Sequence, residues 1–183
     1  MEPRLSGTWL VVGAAGDLTD EVARQVAQAG GRPLRVEEGA AFERLDARHV
    51  RVRPGWVDDV VALAREQRQA AAPVAGVLLL WSLVDADASA PRQLLMQFHA
   101  QVALASGLDI SSAAPLRMVV ATAGAHSVVD EAVAAPGTAV AFGPVLALPG
   151  EVPGLSMRLL DLAARLEAIE TQAAAAAVVA EAA

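Results

Sequence analysis

The sequence predicts an α/β chain: a doubly wound, mostly parallel sheet of about six strands with helices on both faces, in one domain spanning residues 1–183. Three observations carry this. Short apolar runs alternate with segments of helical periodicity along the whole chain, which implies parallel strands joined by right-handed crossovers. The run Val74 to Leu83 is almost wholly apolar, as a strand buried on both faces of a sheet must be. The first strand runs into a glycine-containing turn before a helix, the layout of a nucleotide-binding α/β unit.

Element by element, Gly7 to Val12 is a short apolar strand that stops at Gly13. Thr19 is placed to cap a helix with Asp20 and Glu21 in its first turn, where acids favour the positive end of the helix dipole. Val22, Val26 and Ala29 form its stripe, and Gly30-Gly31 ends it. Pro33–Val36 and His49–Arg53 are the next strands, the latter alternating in period two before Pro54-Gly55. Trp56, Val57, Val60, Val61 and Ala64 repeat at helical spacing to about Ala70. After the Val74–Leu83 strand, Pro91 opens a helix with Leu94, Leu95, Phe98, Val102 and Ala105, closed by Gly107. Leu116–Ala121 is a fifth strand, Ala139–Leu148 a short helix cut by Pro144, and Met157–Leu160 a sixth strand. From Leu162 an Ala-rich segment spaces Leu166, Ile169 and Ala173 for a last helix.

Composition narrows the function. With 55% hydrophobic and 19% charged residues the chain is globular and long enough for a substantial core. It has no Lys, Tyr or Cys, so every basic residue that could pair with its acids is one of 14 Arg or three His, and the net charge is −7. No basic cluster with interleaved aromatics occurs, which argues against nucleic acid. Zero Cys excludes disulfides and thiolate metal sites and fits a reducing compartment. No secretory leader opens the chain, and the longest uncharged stretch, Ala132–Gly150, carries Pro136, Pro144 and Pro149. A soluble, cytoplasmic protein without membrane contact is expected.

The first turn reads Gly13-Ala14-Ala15-Gly16-Asp17-Leu18. Against a dinucleotide-binding turn Gly13 matches, but Ala15 and Leu18 stand where the other two glycines belong, and Asp17 adds negative charge beside the phosphates. Glu37 and Glu38 close the second strand where a ribose-binding carboxylate is expected. A degenerate turn kept for the fold is favoured over a working nucleotide site. His49, His99 and His126 sit on separate elements, so no metal site is expected. His49 reads as a strand-end surface residue and His99 as a helix-face residue, while His126 falls at the carboxyl edge of the sheet. Asp85 and Asp87 read as solvated capping acids. No Gly-x-Ser-x-Gly elbow and no P-loop lysine occur. Reductases of this architecture commonly move a proton with Tyr and Lys four residues apart, and this chain has neither. No catalytic, cofactor-binding or metal residue is therefore expected.

Three stretches carry a family resemblance. Leu80-Trp81-Ser82-Leu83, Leu116 through His126, and Gly143-Pro144 through Pro149-Gly150-Glu151-Val152-Pro153 followed by Arg158-Leu159-Leu160-Asp161 stand in order and spacing. Together they resemble the noncatalytic half of the ketoreductase domain of modular type I polyketide synthases, a relative of short-chain dehydrogenase/reductases, and the likeness covers nearly all 183 residues. Val84 before Asp85, and His126 in place of a common Gln, depart from it.

That resemblance implies a truncated Rossmann-like structural subdomain that binds no cofactor and packs against a second half holding NADPH and a Ser, Tyr and Lys set. The second half would reduce β-ketoacyl chains on an acyl carrier protein, which this chain would meet only indirectly, beside neighbouring synthase domains. The chain ends about where that half, or an inserted enoylreductase, would continue. The other function class is an independent small protein binding a nucleotide or acyl ligand through Gly13, Gly16 and Glu37.

Overall fold

In the computed structural model, which describes residues 4–83, 90–125, 136–162 and 168–183, seven strands form one sheet in the order β3-β4-β2-β1-β5-β6-β7. The strands are β1 (Thr8–Val12), β2 (Arg32–Glu38), β3 (Glu43–Asp46), β4 (His49–Val52), β5 (Val74–Leu79), β6 (Leu116–Ala123) and β7 (Leu155–Leu162). All pair in parallel except β3, which lies antiparallel to β4 at one edge. The helices are α1 (Asp17–Gln28), α2 (Val57–Gln69), α3 (Ala90–Gln93), α4 (Ala100–Gly107), α5 (Phe142–Glu151) and α6 (Ala168–Ala182). This is the expected doubly wound α/β architecture.

Strand β1 divides the core by its pleat. Leu10 and Val12 face a cluster with Val60 and Leu63 of α2, Ala103 and Leu104 of α4 and Leu148 of α5. Trp9 and Val11 face the opposite cluster with Val22 and Val26 of α1 and Val178 and Val179 of α6. Side chains at successive strand positions point to opposite faces, so a central strand must be apolar throughout.

Several elements differ from expectation, each for a local reason. β3, Glu-Arg-Leu-Asp, has no apolar run to announce it; the Asp46 carboxylate accepts from the Arg48 N–H at 2.7 Å and shapes the turn into β4. β5 ends at Leu79, not Leu83, and Trp81–Leu83 forms a single 3₁₀ turn. Thr19 is not the cap of α1: Gly16 holds that place without a side-chain hydrogen bond, and Thr19 is buried. Val57 and Val61 are exposed, and α2 buries Val60, Leu63, Ala64 and Gln67 instead. Pro144 does not cut α5. It is the third residue of that helix, where a missing N–H costs no intrahelical bond, and a 3₁₀ turn over Pro136–Ala141 leads in. The helix after Pro91 widens into a π turn over Leu94–His99 before α4. It buries Met96 and Gln97 and exposes Leu94. Leu166 lies outside the described residues, and α6 buries Ala174, Ala175, Val178, Val179 and Ala182 rather than Ala173.

Candidate functional site

In doubly wound sheets ligands bind outside the carboxyl ends of the strands. Here that edge carries the Gly13–Leu18 turn, Glu37 and Glu38 at the end of β2, Arg53 after β4, and Asp161 near the end of β7.

Gly13 is pinned by its N–H to the Val36 carbonyl at 3.1 Å. A Cβ there would sit 2.5 Å from Thr19 Oγ1 and 3.4 Å from Leu80 Cβ, so this glycine serves close helix-to-sheet packing. Gly16 faces open space. Asp17 and Asp20 occupy the first turn of α1. Their carboxylates already complement the helix dipole, and an arriving phosphate would meet like charge. Leu18, where a glycine would stand, packs against the α1–α6 core.

Both carboxylates at the end of β2 have neighbours within the protein. Glu38 takes a bidentate pair from Arg92 of α3 at 3.0 and 2.7 Å, and those hydrogen bonds hold its pKa below the ordinary range against a modest desolvation. Glu37 Oε1 lies 3.0 Å from His49 Nε2. His49 is thus a partly buried neighbour of Glu37 rather than a simple surface residue. Gly13, Gly16, Glu37 and Glu38 do come together along one edge, as the topology requires, but Glu38 is taken by Arg92 and Glu37 faces the His49 ring. His99 is exposed and meets Phe98 edge-on with ring centroids 5.4 Å apart. His126, Asp85 and Asp87 lie outside the described residues. No cluster of three His, Asp or Glu is placed to hold a metal among the described residues.

Three arrangements were not legible beforehand. Asp59 is a buried carboxylate at the start of α2, accepting from the Arg53 N–H at 2.9 Å, Nε at 3.0 Å and Nη2 at 2.5 Å. Arg53 in turn lies 4.6 Å from the Trp56 ring centroid. Asp161 accepts from Thr122 Oγ1 at 2.8 Å and from the Ala125 N–H at 3.1 Å, tying β7 to the end of β6. Gln97 and Gln101 are buried beside the π turn. Gln101 Nε2 donates to the Gln97 carbonyl and, at 3.1 Å, to that of Ala141, so it fastens the π turn to the start of α5. Two glutamines four apart in an apolar helix were the available signal.

The Asp59 pair sets a pH dependence. The Arg53 side-chain hydrogen bonds, and then its N–H, hold Asp59 below the ordinary carboxylate range, outweighing desolvation. Protonation is thus easier in the unfolded chain, whose carboxyl groups titrate near about 4. The stabilisation is present above that pH and is lost as pH falls through the folded value. We expect Asp59→Asn to cost about 1.5–3 kcal/mol at pH 7 in urea unfolding and markedly less at pH 2.5. An equal loss at both pH values would contradict the assignment.

No protein-family model and no curated protein sequence matches the chain. Solved structures do. A multidomain structure with adenylation, ketoreductase and pseudo Asub parts, from a keto acid-selecting NRPS module, superposes with a TM-score of 0.82 at 19% identity, over 99% of this chain and 15% of its own. An N-terminal ketoreductase from the macrolactin assembly line gives 0.70 at 12% identity, over 97% and 36%. A short-chain dehydrogenase/reductase from Brucella ovis, solved with a partially ordered NAD, gives 0.67 at 15%, over 95% and 92%. The chain therefore spans about a seventh and a third of the first two. At these identities the likeness establishes the fold alone, a Rossmann-like, mostly parallel α/β sheet.

Proposed function

We propose that this chain is the noncatalytic structural subdomain of a polyketide-synthase ketoreductase region, stabilising an NADPH-dependent catalytic half that reduces β-ketoacyl chains on a carrier protein. The observation that carries the reading is chemical: a reductase-type sheet without a single Tyr or Lys lacks the usual proton-donating pair. The carboxyl edge agrees. Its glycine turn is filled by Leu18 and fronted by Asp17, and Arg92 covers the Glu38 carboxylate that a ribose would need. No cofactor is assigned to this chain; NADPH belongs to the catalytic half.

One helical face supports docking. Six of the seven exposed large hydrophobics among the described residues, namely Trp56, Val57, Val61, Leu94, Val140 and Leu146, lie on the side of α2, α4 and α5. Leu146 is 82% exposed and Trp56 50%. The α5 sequence carries one charge, Glu151. Large apolar side chains left exposed on one side of a sheet favour an interaction site there, and each one covered is worth about 1.5–3 kcal/mol. The catalytic half is the partner in this reading, with the carrier protein and neighbouring synthase domains reached through it. Nucleic acid and membrane have no part, and no helix among the described residues is long and apolar enough to cross a bilayer. The compartment is cytoplasmic.

Calorimetry with millimolar NADPH tests the reading, and no binding heat is expected from the isolated chain. A micromolar dissociation constant would overturn it and favour an independent nucleotide-binding protein using Gly13, Gly16 and Glu37.

A further inference from the structure

The described arginines divide into two populations. Eight pair with acids: Arg24, Arg35, Arg44, Arg51, Arg53, Arg68, Arg92 and Arg158. Arg4, Arg32, Arg48, Arg65 and Arg117 have no carboxylate partner among the described residues. Four of these five stand at the starts of strands. Arg4 precedes β1, Arg32 opens β2, Arg48 precedes β4, and Arg117 is the second residue of β6. Those strands are mutually parallel, so their starts share one edge, opposite the edge where Rossmann ligands bind.

Two clefts lined by these arginines open on this amino edge, each of about 280 Å³. One is lined by Arg4 and Arg117 with Ser6 and Trp9, the other by Arg32 and Arg48 with Gly31 and Leu34. Each thus holds two guanidinium groups from different elements. Arg117 gives Nη1 to the Ala182 carbonyl at 2.6 Å and keeps its remaining N–H donors. Of the acids on this rim among the described residues, Asp109 is paired with Arg68 and Glu181 with Arg158, while Asp46 accepts from the Arg48 N–H and, like Glu151, has no cation partner. In a protein of net charge −7, the described arginines without a carboxylate partner are thus concentrated where the strands begin.

We propose that the amino edge of the sheet binds an extended acidic protein segment laid across the strand starts. In sheet order the arginines fall on β4, β2, β1 and β6, four strand spacings from end to end, or about 19 Å. An extended chain rises about 3.3 Å per residue, so a segment of about six residues spans the row and sets carboxylates against both clefts. A single-stranded nucleic acid would stack its bases on aromatic platforms, and the Trp in the first cleft is buried with its Nε1 bonded to the Ser6 carbonyl. A bilayer surface would need exposed large hydrophobics, and none lines either cleft.

The test is titration of the ¹⁵N-labelled chain with acetylated hexaglutamate, followed by amide shifts. Saturable shifts confined to Arg4, Ser6, Arg32, Arg48 and Arg117 are expected, weakening as salt rises. Arg32→Gln with Arg48→Gln should weaken binding about tenfold while leaving the circular dichroism unchanged. Arg4→Gln with Arg117→Gln should do the same, although Arg117 also bonds the backbone; the Arg32/Arg48 pair therefore decides. Arg24→Gln, at a paired arginine on α1, should change nothing. No shift at millimolar peptide, or equal weakening by Arg24→Gln, would overturn the proposal. So would equal shifts from inorganic phosphate at the same concentration, which would mark a small-anion site.

Discussion

Replacing Trp81 by alanine is expected to cost about 3–5 kcal/mol of stability, the usual range for deleting a buried aromatic. The ring is 4% exposed and packs in the core beneath the α2–α4–α5 layer, with Met96, Ala100 and Ala141 in the same cluster. Its 3₁₀ turn begins one residue after the interior strand β5, so few backbone adjustments can close the void. The indole Nε1 has no hydrogen-bond partner among the described residues, so the expected loss is one of packing. Trp81→Phe should therefore keep much of the stability. Urea unfolding of both variants is the measurement. A loss below 1 kcal/mol for Trp81→Ala, alone and beside a catalytic half, would show that the residue packs nothing.

Gly76→Val should cost toward the upper end of the roughly 1–3 kcal/mol typical of overpacking. Gly76 lies in β5 between β1 and β6, paired with Trp9 on one side and Arg117 on the other. A Cβ there would fall within the van der Waals envelope of the Trp9 ring carbons Cε3, Cζ3 and Cη2. The ring has little room to retreat: it is buried in the α1–α6 core, and its Nε1 donates to the Ser6 carbonyl at 3.0 Å. The double variant with Trp9→Leu should recover part of the loss, because the clash is with the ring alone. Strictly additive losses would refute that contact.

What was legible in advance follows physical rules that act locally. Long apolar runs located β1, β5 and β6, because a strand buried on both faces has no other composition to adopt. β3 escaped because Glu43–Asp46 is an exposed edge strand fixed by a turn, not by burial. Trp81 was assigned to a strand because an apolar run shows no difference between the end of β5 and the 3₁₀ turn that follows. Val57 and Val61 belong to the helical repeat, yet they face outward, since apolar spacing marks a stripe without saying what covers it. At the carboxyl edge the degeneracy of the glycine turn was readable from Ala15, Asp17 and Leu18. The Arg92–Glu38 and Arg53–Asp59 pairs were not, because the first joins residues 54 positions apart and the second sits inside an ordinary run of charge.

The central claim is that the apolar face of α2, α4 and α5 is covered by a catalytic reductase half. Size-exclusion chromatography with light scattering, on the chain alone and co-expressed with the catalytic ketoreductase half proposed as its partner, tests it most directly. Alone, the chain should self-associate; together the two should run as a 1:1 complex with reductase activity, and Leu146→Asp should break that complex without unfolding the chain. A clean monomer that ignores the catalytic half would contradict the account.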